Sequence, residues 1–156
     1  MDSAGVDYGV RRIAYAHPNK MVFAELLLTE KNDVKNLLTL SEWLKNQITA
    51  TRPELIVIEQ AIQGASRNIR TGISMGMVSG ALALTAQQVE SDVVFIGPSS
   101  WKKAVIGHGH SDKEAIAKWL SAKYPKYYER CKQLKQPQDA IDATCMALYG
   151  QTRLAG

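Results

Sequence analysis

The sequence lacks the features that mark secreted, membrane-spanning or zinc-stabilised proteins. It has two cysteines in 156 residues, Cys131 and Cys145, at a separation that matches no zinc-ligand spacing. We expect two reduced structural thiols, as is usual for cytosolic proteins. The N-terminus shows no basic-then-apolar leader. The longest nearly uncharged run, 73–90, contains several polar residues, whereas a membrane span needs roughly 20 mostly apolar ones. We therefore expect a soluble, cytoplasmic protein without membrane contact.

The composition is that of an ordinary globular protein with a slight basic excess. The chain is 46% hydrophobic and 22% charged, which is typical of soluble proteins. No repeat, low-complexity stretch or linker divides it, and its length suits one domain over residues 1–156. The formal net charge of +4 is only a mild indication of a nucleic-acid partner.

The apolar patterning predicts an α/β fold. Short β-like runs at 4–7, 12–16 and 21–28 are followed by helical spacing up to about residue 50, and the turn at His17-Pro18-Asn19 predicts a hairpin. The runs 55–58 and 93–96 suit strands buried on both faces. Further helices are expected over 71–88, from a capping box at Ser111 and Glu114 to about 123, and over 138–150. The order β-β-β-α-β-α-β-α-α places a hairpin on one side and parallel crossovers on the other.

Four acidic residues lie in apolar surroundings. Asp7 ends the first strand, Glu59 follows the run 55–58, and Asp139 and Asp142 share one face of the last helix. Each alone could be a cap or a solvated residue, but a buried acid is costly unless it is paired or bound to a cation. No matched bases stand in these motifs, so converging acids would repel one another, and their oxygens would select Mg²⁺ or Mn²⁺ over zinc. Two such ions can support phosphodiester hydrolysis.

Taken in order, the acidic segments resemble the motifs of the RuvC family of junction resolvases. Residues 5–9 (Gly-Val-Asp-Tyr-Gly) resemble its Asp-x-Gly opening, and residues 57–60 (Val-Ile-Glu-Gln) its second acidic motif. Residues 98–113 resemble its DNA-contacting segment, and residues 138–143 (Gln-Asp-Ala-Ile-Asp-Ala) its C-terminal Asp-Ala-x-Asp-Ala motif. The resemblance covers nearly the whole chain with compatible spacing.

The resemblance implies an RNase H-like fold, with a five-stranded mixed sheet flanked by helices on both faces. It implies that Asp7, Glu59, Asp139 and Asp142 bind two Mg²⁺ ions, which Mn²⁺ can replace, and position the attacking water. It also implies a homodimer that resolves four-way (Holliday) DNA junctions by paired symmetric nicks. The enzyme would act in the cytoplasm of a bacterium or of a cell infected by a phage. The sequence identifies no helicase partner.

Several basic residues are candidates for DNA contacts. Lys102 and Lys113 match family lysines near the scissile phosphate, where a fixed cation can neutralise developing charge, and we count Lys113 as catalytic. Ile62 stands where the family often carries an aromatic wedge. The stretch 123–135 is longer and more basic than we expect for the family, and both a DNA-binding arm and a plain surface insertion are open. Further candidates are Arg67, Arg70, Lys103 and the indole of Trp101.

Gly72, Gly76 and Gly80 recur at four-residue spacing on one helix face. Because each glycine costs helix stability, about 1 kcal/mol relative to alanine, three of them indicate that another backbone comes close. That neighbour is either the sheet of the same chain or, as the resemblance implies, the same helix of a second subunit.

Three other functions compete with junction resolution. The first is a broader RNase H-like nuclease that cuts forks or flaps, and the second is a junction-binding protein without catalysis. Retention of all four acids disfavours the second, because a dead site needs no charges that repel. The third is a nucleotide-binding α/β domain, but residues 8–12 match neither a Walker loop nor a dinucleotide fingerprint.

Overall fold

Five strands form one mixed sheet in the structure, a computed structural model that describes residues 2–60 and 69–155. Their order across the sheet is β3-β2-β1-β4-β5. Strand β2 is antiparallel to both β1 and β3, whereas β4 is parallel to β1 and to β5. The predicted mixed sheet is therefore confirmed. The strands are β1 (Ser3–Tyr8), β2 (Arg12–His17), β3 (Val22–Leu27), β4 (Leu55–Glu59) and β5 (Asp92–Ile96).

Helices cover both faces of the sheet. Alternate residues of the strands supply two separate cores, because successive side chains of a strand point to opposite faces. One core joins the sheet to α1 and α2, and the other joins it to α3 through α6. The helices in the described ranges are α1 (Asp33–Thr51), α2 (Ile69–Gln88), α3 (Pro98–Val105), α4 (Lys113–Lys123), α5 (Pro125–Lys132) and α6 (Pro137–Ala155).

Local side-chain and backbone chemistry explains where several helices and strands begin and end. The hairpin between β2 and β3 turns through Pro18–Lys20, as predicted, and Met21 takes the left-handed conformation with φ 55°. Helix α1 begins after Asn32, whose side chain accepts the backbone N–H of Lys35 at 3.1 Å. It ends at Arg52, which has φ 50°.

The predicted element order was wrong at two places. Helix α3 follows Gly97 directly, where no helix was predicted, and α5 occupies part of the stretch 123–135, where none was predicted either. The capping box was also misplaced by one residue. The cap of α4 is Asp112, which accepts the N–H of Ala115 at 2.8 Å, while Ser111 donates to the carbonyl of His108.

Helix α6 lies unusually close to the central strand β1. A Cβ atom added to Gly5 would lie 1.9 Å from the carbonyl oxygen of Ala143, and one added to Gly150 would lie 2.6 Å from Ser3 Oγ. Ser3 also donates a hydrogen bond to the carbonyl of Ala147. Small residues on both elements thus let this helix lie against the sheet.

Two further expectations concern the cysteines and the membrane. Cys131 and Cys145 are both free and buried, and burial raises the pKa of the Cys131 thiol to about 11, so both behave as structural thiols. Within the described ranges, the helices are too short or too polar to cross a bilayer.

Candidate active site

The parallel pairing of β1 with β4 brings two of the acids together. The register pairs Val6 with Ile58, so Asp7 and Glu59 come next at the carboxyl ends of neighbouring strands. Both side chains point to the face covered by α6, because Val6 and Ile58 belong to the opposite core and strand side chains alternate. This is the edge at which open α/β sheets collect ligands.

The other two acids come from the first turns of α6. Asp139 and Asp142 lie three residues apart on that helix, and its close packing on β1 carries them to Asp7. The segment entering α6 is held by Glu25 of β3, whose carboxylate accepts the backbone N–H of Lys135 at 2.6 Å and that of Gln136 at 3.0 Å. Glu25 therefore fixes the position from which the helix starts.

The electrostatics show that the four carboxyls lie within range of one another. Burial raises the pKa of Asp7 well above its usual range, and the charges of Asp142, Glu59 and Asp139 add to the effect. Burial also raises the pKa of Asp142 to about 7, with further contributions from Glu59 and Asp139. Ionising the whole group is thus opposed by burial and by mutual repulsion.

Two basic side chains partly offset this repulsion, which corrects the expectation of acids without matched bases. The guanidinium Nε of Arg12 lies 3.6 Å from an Asp139 oxygen. The charge of Lys102 acts on both Glu59 and Asp142, lowering their pKa against the effect of burial.

Trp101 is placed differently from the expectation that its indole approaches DNA. The residue is fully buried. Its N–H has no hydrogen-bond partner at normal distance in the described ranges, although it lies near enough to Glu59 to counteract the rise in the pKa of that carboxyl. The contact between the indole N–H and Glu59 is therefore longer than a normal hydrogen bond. Trp101 thus stands beneath the site with its donor turned towards Glu59.

The donor set fits a hard divalent cation. All four groups are carboxylates, the ligands that Mg²⁺ and Mn²⁺ prefer, and a cation would remove the repulsion that raises their pKa values. Within the described ranges, no three His, Cys, Asp or Glu side chains are close enough to form a ready metal cage. The four carboxyls are therefore near neighbours by their mutual charge effects without forming such a cage in the described ranges.

The remaining predicted DNA-contacting residues in the described ranges are exposed on three different helices. Arg70 is exposed in the first turn of α2, Lys103 is exposed on α3, and Lys113 is exposed at the first residue of α4. Of the two lysines that match family lysines, Lys102 is the one whose charge acts on the acids. Two predicted residues, Ile62 and Arg67, lie outside the described residues.

The three glycines of α2 do not face the sheet. Among the residues that the structure describes, a Cβ atom added to Gly72, Gly76 or Gly80 would meet nothing within 4 Å. Packing on the sheet of the same chain is therefore excluded as the reason for them. The same helix exposes large apolar side chains, with Ile69 85% and Ile73 62% exposed.

Sequence reasoning missed three residues around the site: Arg12, Glu25 and Gln138. Gln138 donates to Asp142 at 3.0 Å, and its place beside the acid in the same turn could have been anticipated. The contact between Glu25 and Lys135 joins residues 110 positions apart, so no local signal announces it. A cleft of about 360 Å³ opens beside Asp139, lined among others by Arg12, Glu25 and Lys135.

A mixed five-stranded sheet between two helical layers, with acids at the carboxyl ends of its central parallel strands, defines the RNase H-like class of folds. Comparison with known proteins narrows this class. The family model described as "Crossover junction endodeoxyribonuclease RuvC" matches residues 3–149. The chain belongs to the RuvC family.

Individual relatives agree with this assignment. The chain is 27% identical over 158 residues to the crossover junction endodeoxyribonuclease RuvC of Synechococcus sp. (strain WH7803), covering 94% of this chain and 95% of that protein. It is 30% identical over 114 residues to the RuvC of Mycolicibacterium smegmatis, covering 73% and 58%. The structure of T. thermophilus RuvC in complex with Holliday junction substrate superposes with a TM-score of 0.76 at 20% identity, covering 98% and 96%. At that identity, the likeness establishes the fold.

Proposed function

We propose that this protein is an endodeoxyribonuclease that resolves four-way DNA junctions by hydrolysing phosphodiester bonds, as one nuclease domain acting in the cytoplasm. The observation that carries the proposal is the convergence of Asp7, Glu59, Asp139 and Asp142 at one sheet edge in a chain of the RuvC family. The relatives that share the family are named as crossover junction endonucleases.

The four carboxylates would hold two Mg²⁺ ions, with Mn²⁺ as a substitute. Bound there, the ions would activate water and stabilise the leaving oxygen. The chain itself would contribute the geometry. Glu25 and the Gly5 contact fix α6, and Lys102 supplies a positive charge next to Glu59 where negative charge develops on the phosphate. We assign Lys113 a supporting catalytic role at the mouth of the site.

The proposed assembly is a homodimer formed through α2. Its exposed face combines glycines with open space above them and apolar side chains of high exposure. Such a continuous apolar stripe is costly on a monomer, and glycine lets two helix backbones approach closely. A two-fold interface would use the same stripe on both subunits, and it would present two acidic sites to the two strands of a symmetric junction.

The test is cleavage of a labelled synthetic four-way junction, run beside a linear duplex and a fork, with Mg²⁺ and with EDTA. We expect metal-dependent symmetric nicks in the junction and little cutting of the duplex. Equal cutting of the fork would show a broader structure-selective nuclease. Tight binding without cleavage under Mg²⁺ and Mn²⁺ would show a junction-binding protein and would refute the enzymatic proposal.

A matched pair of variants separates catalysis from folding. Asp7→Asn removes one charge from the site and is expected to abolish cleavage while junction binding remains. Asp33→Asn removes one charge from an exposed residue in the first turn of α1 and is expected to leave cleavage unchanged. Loss of junction binding by Asp7→Asn would instead assign Asp7 a structural role.

A further inference from the structure

The stretch 123–135, left open by the sequence, carries a concentrated positive charge. It holds five basic residues and one acidic residue, Glu129. This surplus equals the formal net charge of the whole chain, +4. All five basic side chains belong to exposed residues. We call this set the α5 surface, and it consists of Lys123, Lys126, Arg130, Lys132 and Lys135.

Aromatic rings hold part of this charge in place. The Arg130 guanidinium lies 5.6 Å from the ring centroid of Phe23, and the Lys132 ammonium lies 5.6 Å from that of Tyr128. Tyr124 and Tyr127 stack on each other with centroids 5.2 Å apart. A cation held over a ring loses less side-chain entropy when it meets an anion, so the α5 surface is arranged in advance for binding.

The α5 surface is continuous with the candidate active site. Lys135 lines the cleft beside Asp139 and is anchored through its backbone to Glu25. Phe23, beneath Arg130, lies two residues before Glu25 on the same side of β3. The eight residues of α5 span about 12 Å. The α5 surface thus begins at Lys135 beside the acids and continues along this helix.

We propose that the α5 surface binds the sugar-phosphate backbone of a duplex arm where that arm leaves the cleavage site. The proposal rests on the proposed function, because it places the cut strand at Asp139. Duplex DNA carries one negative charge per about 1.7 Å of axis, so the length of α5 matches about three to four base pairs. The position of the surface identifies its partner as DNA. Because the surface starts beside the proposed cleavage site, it meets the sugar-phosphate backbone that continues from the cut phosphodiester.

The test compares Lys126→Gln/Lys132→Gln with the control Lys35→Gln/Lys45→Gln. The control lysines are exposed on α1, which packs on the opposite face of the sheet. Affinity for a synthetic four-way junction is measured in EDTA at several salt concentrations, so that cleavage plays no part. Each lost phosphate contact makes the slope of log K against log salt less steep by about 0.9. We therefore expect the test variant to lose about 1.8 units of slope.

Hydroxyl-radical protection of the junction gives a second readout. The wild type is expected to protect about three to four base pairs of an arm next to the cut site, and the test variant to lose that protection while the control keeps it. Equal slopes and equal footprints for the two variants would overturn the proposal and leave a solvated insertion. Failure of the wild type to cleave in Mg²⁺ would refute the proposed function separately, because binding in EDTA is independent of it.

Discussion

The Cβ atom that Gly5 lacks would stand 1.9 Å from the carbonyl oxygen of Ala143, so α6 rests on the bare backbone of β1. Real Cβ atoms do not approach a backbone oxygen so closely. The absent side chain is thus what allows Asp139 and Asp142, on the same helix, to reach Asp7.

Gly5→Ala is expected to push α6 away from the sheet. Overpacking of a tight core costs about 1–3 kcal/mol or more, which lowers the melting temperature by at least 2–4 °C for each 1 kcal/mol, and junction cleavage should be lost. Gly97→Ala is the control, because a Cβ there meets nothing within 4 Å. An unchanged melting temperature for Gly5→Ala would show that α6 does not need this contact.

Glu25→Ala is expected to loosen the start of α6 by removing the acceptor of two backbone N–H groups. Hydrogen bonds to a charged group contribute about 1.5–3 kcal/mol when buried and less at this partly exposed position. We expect a melting temperature a few degrees lower and a higher Mg²⁺ concentration for half-maximal cleavage. Glu25→Gln, which keeps one acceptor oxygen, should rescue part of both effects. Equal metal requirements for Glu25→Ala and the wild type would contradict a positioning role.

Trp101→Phe is expected to act through Glu59. The indole N–H opposes the effect of burial on the pKa of Glu59, so removing it should raise that pKa further. The acidic limb of the pH profile of cleavage should then move to higher pH, while the buried ring position stays filled. Trp43→Phe, on α1, serves as the control. A pH profile that does not move would show that Trp101 only fills space.

Asp142→Asn should stabilise the metal-free protein, and more so at higher pH. Asp142 ionises near pH 7 in the folded protein, against an ordinary value of 3.8, so the folded state binds the extra proton. The wild type gains stability from this proton. That contribution to its free energy of unfolding is fully present below pH 4 and is lost as the pH rises through 7. The asparagine keeps the oxygen that accepts from Gln138. In EDTA, the variant should melt above the wild type at pH 8 and level with it at pH 4. The opposite trend would mean that Asp142 has a cationic partner in the folded state.

Gly76→Arg should test the dimer without touching the acids. The residue faces open space in one chain, so the arginine is tolerated in a monomer, but it would separate two helices packed through this face. Sedimentation is expected to show a dimeric wild type and a monomeric variant with an unchanged melting temperature at low concentration. The exposed Lys45→Arg on α1 is a suitable control. A monomeric wild type would refute the proposed assembly.

The sequence predicted the strands and the four acids because both depend on local pattern. Leu55–Ile58 can only be read as a buried strand, and an acid that follows it directly needs an explanation. The two missed helices, α3 and α5, are eight residues long and begin with Pro98 and Pro125. Eight residues are too few to show helical periodicity. A proline is also easily read as the end of the preceding strand or helix, although it can occupy the first turn of the helix that follows.

The supporting contacts of the site could not be predicted in the same way. Arg12 meets Asp139, and Glu25 meets Lys135, across more than a hundred residues of chain. Arg12 begins β2 and Glu25 lies on β3. A polar side chain at either position is unremarkable in the sequence. Only the docking of α6 across β1, β2 and β3 gives them their partners, so their roles follow from the tertiary structure.

The position of α6 in the chain has a consequence for how the enzyme is made. The ribosome synthesises Asp7 and Glu59 well before Asp139 and Asp142. A partly made chain therefore carries half of the acids and cannot close a site around a cation. With the catalytic role proposed for the four acids, cleavage requires the finished helix on β1, so a nascent fragment is expected to be inactive.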